Sequence, residues 1–286
     1  MSAPLLPIIL CLFSAVTVAM TNLFVKRGGD VLATRMIVSL TMAASVLPLL
    51  PFVPFPSTAV WLALVLSLIA HGAYQFAMVR ALQRGDLSLV FPVMRGLAPL
   101  LTAILATFVL DEQLSRWGWG GLILATAALF VFATPEKNQN SVSQLRQNAL
   151  MWAIVTALGV ALYSVMDANG IRLASTLWTY IVWLFLLDWI GITVATFYTR
   201  RQRLWSSLRP RLRDGIIGGI LGSASYATAL WAFALTDAAK VTALRETSVV
   251  FGAIFGAILL KEPFGRKRII AALVLASGLI LLETAQ

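Results

Sequence analysis

Two arginines stand where a chain rarely places charge. Arg95 lies in SLVFPVMRGLAPLLTAILATFVLDE (residues 88–112) and Arg245 in VTALRETSVVFGAIFGAILLKE (residues 241–262). Each sits inside a long apolar run, and each is followed seventeen residues later by a glutamate, Glu112 or Glu262. An arginine at the centre of a membrane span costs about 2.5–3.5 kcal/mol on insertion scales, so it must face protein or a wet cavity and meet a partner there. The planar guanidinium fork suits a carboxylate or phosphate, which makes Arg95 and Arg245 candidates for binding an anionic group of a small-molecule substrate. The competing reading is structural, with Glu246, Asp188 or helix carbonyls neutralising the charge. For Arg95, the following Gly96 and Pro99 suggest a broken helix whose freed carbonyls the guanidinium satisfies.

The remaining polar residues of the apolar runs form a short set. Glu246 adjoins Arg245 but points about 100° away on a helix, so the two do not neutralise each other face to face. Asp188, in WLFLLDWIGI, is an acid deep in the seventh run; it could carry a proton, hold a cationic group or pair with an arginine. His71 is the single histidine, and with Tyr74 and Gln75 at i+3 and i+4 it forms one polar helix face that must point inward. It is either a protonation switch or a hydrogen-bonded packing residue. Tyr163, Tyr226 and Trp231 are the corresponding candidates in the second half of the chain, as aromatic ligand contacts or as interfacial anchors. The first run offers Thr21 and Asn22 but no acid. Glu112 and Glu262 follow the last apolar residue of their runs, near Arg116 and Arg266, and read as helix-end residues in local ion pairs. The GAIFGA stretch around Gly252 and Gly256 reads as a small-residue face for close helix contact. No G-x-S-x-G, H-E-x-x-H, Walker or C-x-x-C pattern occurs, so no enzyme, cofactor or metal site is expected.

The elements that must position these residues follow from composition. The chain has 286 residues, 59% hydrophobic and 12% charged, against about a quarter charged in soluble domains. That is too little polar surface to face water, and the bilayer is the expected solvent. The net charge of +10 comes from basic residues in short loops such as RRQRLWSSLRPRLRD (residues 200–214), where a membrane protein keeps cytoplasmic charge; nucleic acid is not an expected partner. The lone Cys11 forms no intrachain disulfide. The start MSAPLLPIILCLF has no positive n-region and reads as a retained first span.

About 20 apolar residues cross the hydrocarbon, and ten runs qualify, near residues 5–25, 31–50, 58–79, 87–110, 117–134, 148–167, 174–198, 214–235, 238–260 and 267–283. Breakers and charges separate them, DANGIR among them. The polar stretch at 135–147 is a linker between two five-span halves, 1–134 and 148–286. A shift of 150 positions lays Arg95 on Arg245, Leu110 on Leu260, Glu112 on Glu262 and Arg116 on Arg266, so the halves read as repeats. An odd number of spans per half makes the repeat inverted, and inverted repeats around a midplane site are a device for alternating access. The loop arginines and lysines favour both termini on the outer side of the membrane.

RALQRGDLSLVFPVMRGLAPLLTAILATFVLDEQLSRWGWGGLILATAALFVF and ALTDAAKVTALRETSVVFGAIFGAILLKEPFGRKRIIAALVLASGLILL share a small-residue-rich helix, an acid at Glu112 or Glu262, a short turn and a Gly/Ala-rich last helix. Both resemble the EamA-type domain of the drug/metabolite transporter superfamily. The resemblance covers nearly the whole chain. It implies a ten-helix transporter, with export favoured, of a substrate drawn from amino acids, sugars, nucleotide sugars or drugs. Many relatives hold both termini in the cytoplasm, opposite to the charge reading here, and small multidrug members couple to protons through a first-helix glutamate that this chain lacks.

The expectation is therefore an all-α integral membrane protein of ten transmembrane helices in two inverted repeats. It moves a small amino-acid-like or otherwise charged metabolite across a bacterial cytoplasmic membrane, among lipids, with proton or other ion coupling open and Asp188 as the coupling candidate. The alternatives are a membrane enzyme acting on lipid-linked groups and a non-transporting assembly subunit. Oligomeric state is left open.

Overall fold

Inside hydrocarbon each backbone amide must find its partner within the segment, so apolar runs of this length become helices. A computed structural model describes residues 5–84, 87–133, 143–260 and 266–284. These form α1 (Leu5–Arg27), α2 (Val31–Val46) extended by a 3-10 segment (Leu47–Phe52), α3 (Thr58–Arg84), α4 (Leu87–Val109) and α5 (Arg116–Ala133). The second half holds α6 (Ser143–Leu173), α7 (Leu177–Arg200), the short α8 (Leu204–Leu208), α9 (Leu212–Leu235), α10 (Ala238–Arg245), α11 (Ser248–Leu260) and α12 (Arg266–Thr284). Among the described residues, six segments are long and apolar enough to cross a membrane: Leu5–Arg27, Val31–Phe52, Thr58–Ala81, Gln147–Leu173, Leu177–Arg200 and Leu204–Leu235. Three shorter apolar helices, Val93–Val109, Arg116–Val131 and Ile269–Thr284, stand beside them.

The surface is what lipid requires. Phe108 is 79% exposed and Ile280 63% exposed, a placement whose cost in water hydrocarbon removes. The interior is built from alanine, valine and leucine around Tyr180, Phe185, Leu230 and Phe233. α3 packs along α6, α1 along α9, α2 against α7, and α5 against α12. At the last contact the backbones nearly touch: a Cβ on Gly121 would lie 2.6 Å from the Gly278 carbonyl oxygen, and one on Gly278 2.6 Å from the Ala125 amide. Only glycine permits that approach. Small hydroxyls stitch other helices: Ser14 Oγ donates to the Ser225 carbonyl at 2.7 Å and Ser225 Oγ returns a bond to the Ser14 carbonyl at 2.8 Å.

Three expectations are corrected. Helix α4 runs unbroken through Gly96 and Pro99; the interruption falls instead in the second half, between α10 and α11. There Thr247 Oγ1 donates to the Leu244 carbonyl at 2.7 Å while the Glu246 and Thr247 amides reach back only three residues, so hydroxyl competition and 3-10 tightening end the first helix. Helix α6 starts at Ser143, inside the expected linker, and continues through the expected DANGIR turn to Leu173. Gly252 of the GAIFGA stretch has open space where a Cβ would stand, while the side-chain environment of Gly256 lies outside the described residues.

The helix ends are tied by charge. Asp30 accepts from the Ala33 amide at 3.2 Å, capping α2, and pairs with Arg200 at 2.8 Å. Partial burial alone would raise the Asp30 carboxyl, but Arg200 and the Ala33 amide together hold it below its ordinary value. A depressed carboxylate stabilises the fold above its unfolded pKa of about 3.9 and loses that contribution as pH falls through the lower folded value. Asp30→Ala should therefore lower stability by about 1 kcal/mol at pH 7. In detergent melts the gap to wild type should begin to shrink as the pH drops below about 3.9 and should close at lower pH, once the folded carboxylate is itself protonated.

Candidate functional site

The polar residues of the apolar helices do not scatter; they meet. Arg95 of α4 reaches across to Glu246, at the break between α10 and α11, with Nη1 and Oε1 3.3 Å apart, and its Nη2 lies 3.4 Å from Ser248 Oγ. The glutamate side chain is 3% exposed while that of Arg95 is 26% exposed. Glu246 Oε2 is buried with no hydrogen-bond partner among the described residues. Arg245 turns the other way: its Nε donates to Ser14 Oγ at 3.1 Å and its guanidinium lies 5.3 Å from the centre of the Tyr226 ring. Ser14 is itself fixed by the Ser225 pair, so α1 and α9 together hold that arginine's position.

Tyr226 carries the network onward. Its hydroxyl donates in a short hydrogen bond to Asp167 and lies 3.3 Å from His71 Nε2. Asp167 is fully buried and also accepts from Ser67, in a short bond, and from Tyr180 at 2.8 Å. Gly170, one turn along α6, leaves the space that the Tyr180 ring fills. His71 Nδ1 stands 3.0 Å from Asp188 Oδ1, and Nε2 stands 3.6 Å from Asp167 Oδ2. The Tyr163 ring lies 4.1 Å from the imidazole and 5.6 Å from the Tyr74 ring. The Tyr74 hydroxyl lies 3.5 Å from Met78 Sδ, and Cβ of Tyr74 would stand 2.9 Å from a Cβ on Gly159.

Of the residues singled out from sequence, eight fall together: Arg245, His71, Asp188, Tyr74, Tyr163 and Tyr226 form one connected set, and Arg95 with Glu246 forms a pair adjoining it at Arg245. Two do not. Trp231 is 41% exposed, because five residues beyond Tyr226 on a helix is about 140° round the axis. Asn22 is exposed, about 100° from Thr21, whose hydroxyl faces the Gly218 carbonyl at 3.3 Å. Asp188 neutralises no arginine; its partner is the histidine.

Glu112 also departs from expectation. Its ion pair is with Arg172 at the far end of α6, at 2.7 Å, not with nearby Arg116, and its Oε2 accepts from the Ala238 amide at 2.8 Å, capping α10. Asp111 adopts a left-handed φ of 54° so that the Glu112 amide can reach back to the Ala106 carbonyl at 3.3 Å, and this turn aims the carboxylate. Burial pushes that carboxyl above its ordinary range against the pull of Arg172 and the amide. Arg172 additionally donates to the Phe233 and Thr236 carbonyls at 2.9 and 2.8 Å. Glu262 lies outside the described residues.

Asp167 is the residue that sequence reasoning passed over, because it ends an apolar run and precedes Asn169 and Gly170. Its spacing of four from Tyr163 places it on the same helix face as a residue already in the set, and that was the available signal. Removing it should be expensive. Asp167→Ala leaves three buried hydroxyls without their acceptor, at about 1–3 kcal/mol each before relaxation. Asp167→Asn keeps a carbonyl acceptor and should recover a large part of the lost melting temperature; equal melts for the two variants would contradict the hydrogen-bond account.

The EamA-like transporter family model matches the chain twice, over residues 5–134 and 147–284. No curated protein sequence matches. Among 29 solved chains that do, one described only as "Crystal structure of protein" superposes with a TM-score of 0.75 at 15% identity, covering 96% of this chain and 95% of that one. At that identity the likeness concerns the fold. With apolar helices of membrane-spanning length and a family match over both halves, this chain is an integral membrane protein belonging to the EamA-like transporter family.

Proposed function

We propose that the protein is a secondary transporter that moves a small charged or zwitterionic metabolite, amino-acid-like in its charge pattern, by alternating access. The observation that carries this reading is the partly exposed Arg95 held against buried Glu246 at a helix break, with Glu246 Oε2 left without a partner among the described residues. A partly exposed guanidinium recognises a carboxylate, and a buried carboxylate oxygen of this kind recognises a donor, such as an ammonium. Broken helices at the middle of a bundle supply polar contacts of this kind in transporters. The ligand side of the reading therefore comprises Arg95, Arg245 and Glu246, with Tyr74, Tyr163 and Tyr226 as aromatic walls.

Alternating access draws support from the direction of the contacts. Arg95–Glu246, Ser14–Arg245, Ser14–Ser225, His71–Asp188 and His71–Asp167 each join a residue of the first half to one of the second. The packing pairs also exchange between halves, α3 with α6 and α1 with α9, as inverted repeats would require. A charged ligand that rearranges these contacts biases how the halves sit together. Export is favoured by resemblance to the family, and the loop charges favour both termini outside a bacterial cytoplasmic membrane. A periplasm-active reporter fused after Gln286 should be active; cytoplasmic activity would reverse the orientation.

Thermal stabilisation of the purified protein tests the substrate reading against zwitterionic amino acids, dicarboxylates, amino sugars and polyamines. A compound at about 100 times its dissociation constant adds roughly 2.7 kcal/mol to the native state. One charged class should raise the melting temperature, and the rise should vanish in Arg95→Gln and Arg245→Gln variants that still give a cooperative melt. Stabilisation that survives in both variants would remove the arginines from the binding site.

A further inference from the structure

The charges of this central set do not balance. Arg95 and Arg245 supply two positive charges against three carboxylates, Asp167, Asp188 and Glu246. In a low-dielectric interior an uncompensated charge is costly. A single proton, on His71 or on one of the carboxylates, closes the difference, and the contacts around the imidazole bear on where it sits. The Tyr226 hydroxyl gives its single hydrogen to Asp167, so toward His71 Nε2, 3.3 Å away, it can only accept. Nε2 must therefore carry a hydrogen. Nδ1 faces the Asp188 carboxyl at 3.0 Å, and with Asp188 ionised, as an acceptor only, Nδ1 carries one too. Both ring nitrogens donate, which is the imidazolium.

We propose that Asp167, His71 and Asp188 form a proton-binding site in the middle of the bundle, with the exchangeable proton on His71 and Tyr226 linking it to Arg245. Every element packed around the imidazole contributes to it. Asp167 and Tyr163 come from α6, Asp188 from α7, Tyr226 from α9 with Arg245 behind its ring, and Tyr74 lies on α3 itself. The two carboxylates have different parts. Asp167 is fully buried and locked by three hydroxyls, so it fixes the ring, while the Asp188 side chain is 20% exposed and is the door to water. Release is a plain dissociation: the imidazolium gives its Nδ1 proton to Asp188, which passes it to water, and the ring is left neutral. A cationic group entering near Glu246 restores the charge balance that the proton had supplied, and its departure draws a proton back onto the ring. Resting on the transport reading, this makes the proton and a positive charge on the substrate alternative occupants, exchanged one for one.

The chain has a single histidine, so ring-nitrogen NMR of histidine-labelled protein in nanodiscs reads this site alone, with the proton as the only probe. At pH 7.5 both ring nitrogens should show the protonated shift in wild type, and Asp188→Asn should give a neutral ring at the same pH. Raising the pH should convert the wild-type signal reversibly to the neutral form while the protein stays folded. A neutral ring in wild type at pH 7.5 would overturn the proton site. So would an imidazolium that persists until the protein unfolds, since that is a fixed structural ion. Should Asp188→Asn fail to fold, the wild-type titration decides alone. No substrate is used, so a negative metabolite panel leaves this result standing, and a neutral ring leaves the arginine site untouched.

Discussion

A charge inside an apolar bundle is costly unless it meets a partner, and the interior of this bundle is organised around that constraint. Its carboxylates and guanidinium groups are each placed against a partner from another helix. Asp167 shows the rule at its fullest, with Ser67, Tyr180 and Tyr226 converging on one buried carboxylate. The hydroxyls are recruited in turn by packing: the missing side chain of Gly170 admits the Tyr180 ring, and Phe185 stacks on Tyr226 at 6.2 Å. The polar set is therefore a tertiary object. Remove the packing and the charges lose their partners.

Arg95 and Arg245, one in each half, are accommodated differently. Arg95 projects from an unbroken helix to an acid in the other half. Arg245 ends a short helix and rests on a serine and a tyrosine ring, contacts that hold a cation without neutralising it. The break beside it comes from threonine hydroxyls competing for carbonyls, with no proline involved. The helix that carries Arg95 is continuous while the chain beside Arg245 is jointed, and a joint is where a ligand can be met by backbone as well as side chain.

Away from this level, charge does structural work at the helix ends. Glu112 caps α10 and pairs with Arg172, while Asp30 caps α2 and pairs with Arg200. Each pair joins the two halves, one at the end where α4 and α6 finish, the other where α2 begins and α7 finishes. These residues therefore bear on how the two halves hold together as well as on the stability of single helices.

Much of the architecture was legible in the chain. Hydrophobic run length determined where helices form, because a span in lipid must satisfy its own backbone, and intramembrane charge and polar helix faces singled out eight of the residues that meet in the site. Helix periodicity could also assign a face, which is how His71 and Tyr74 were linked. What tertiary structure alone decided was partnership. Glu112 was matched to Arg116 by proximity in sequence, yet it binds Arg172, which only folding brings near. Asp188 was a candidate for an arginine and found a histidine. Asp167 looked like a residue of a turn and became the centre of the network, since helix α6 ran past the point where the apolar pattern faded. Composition sets which groups must be neutralised; the distances that settle which group neutralises which exist only once the helices have packed.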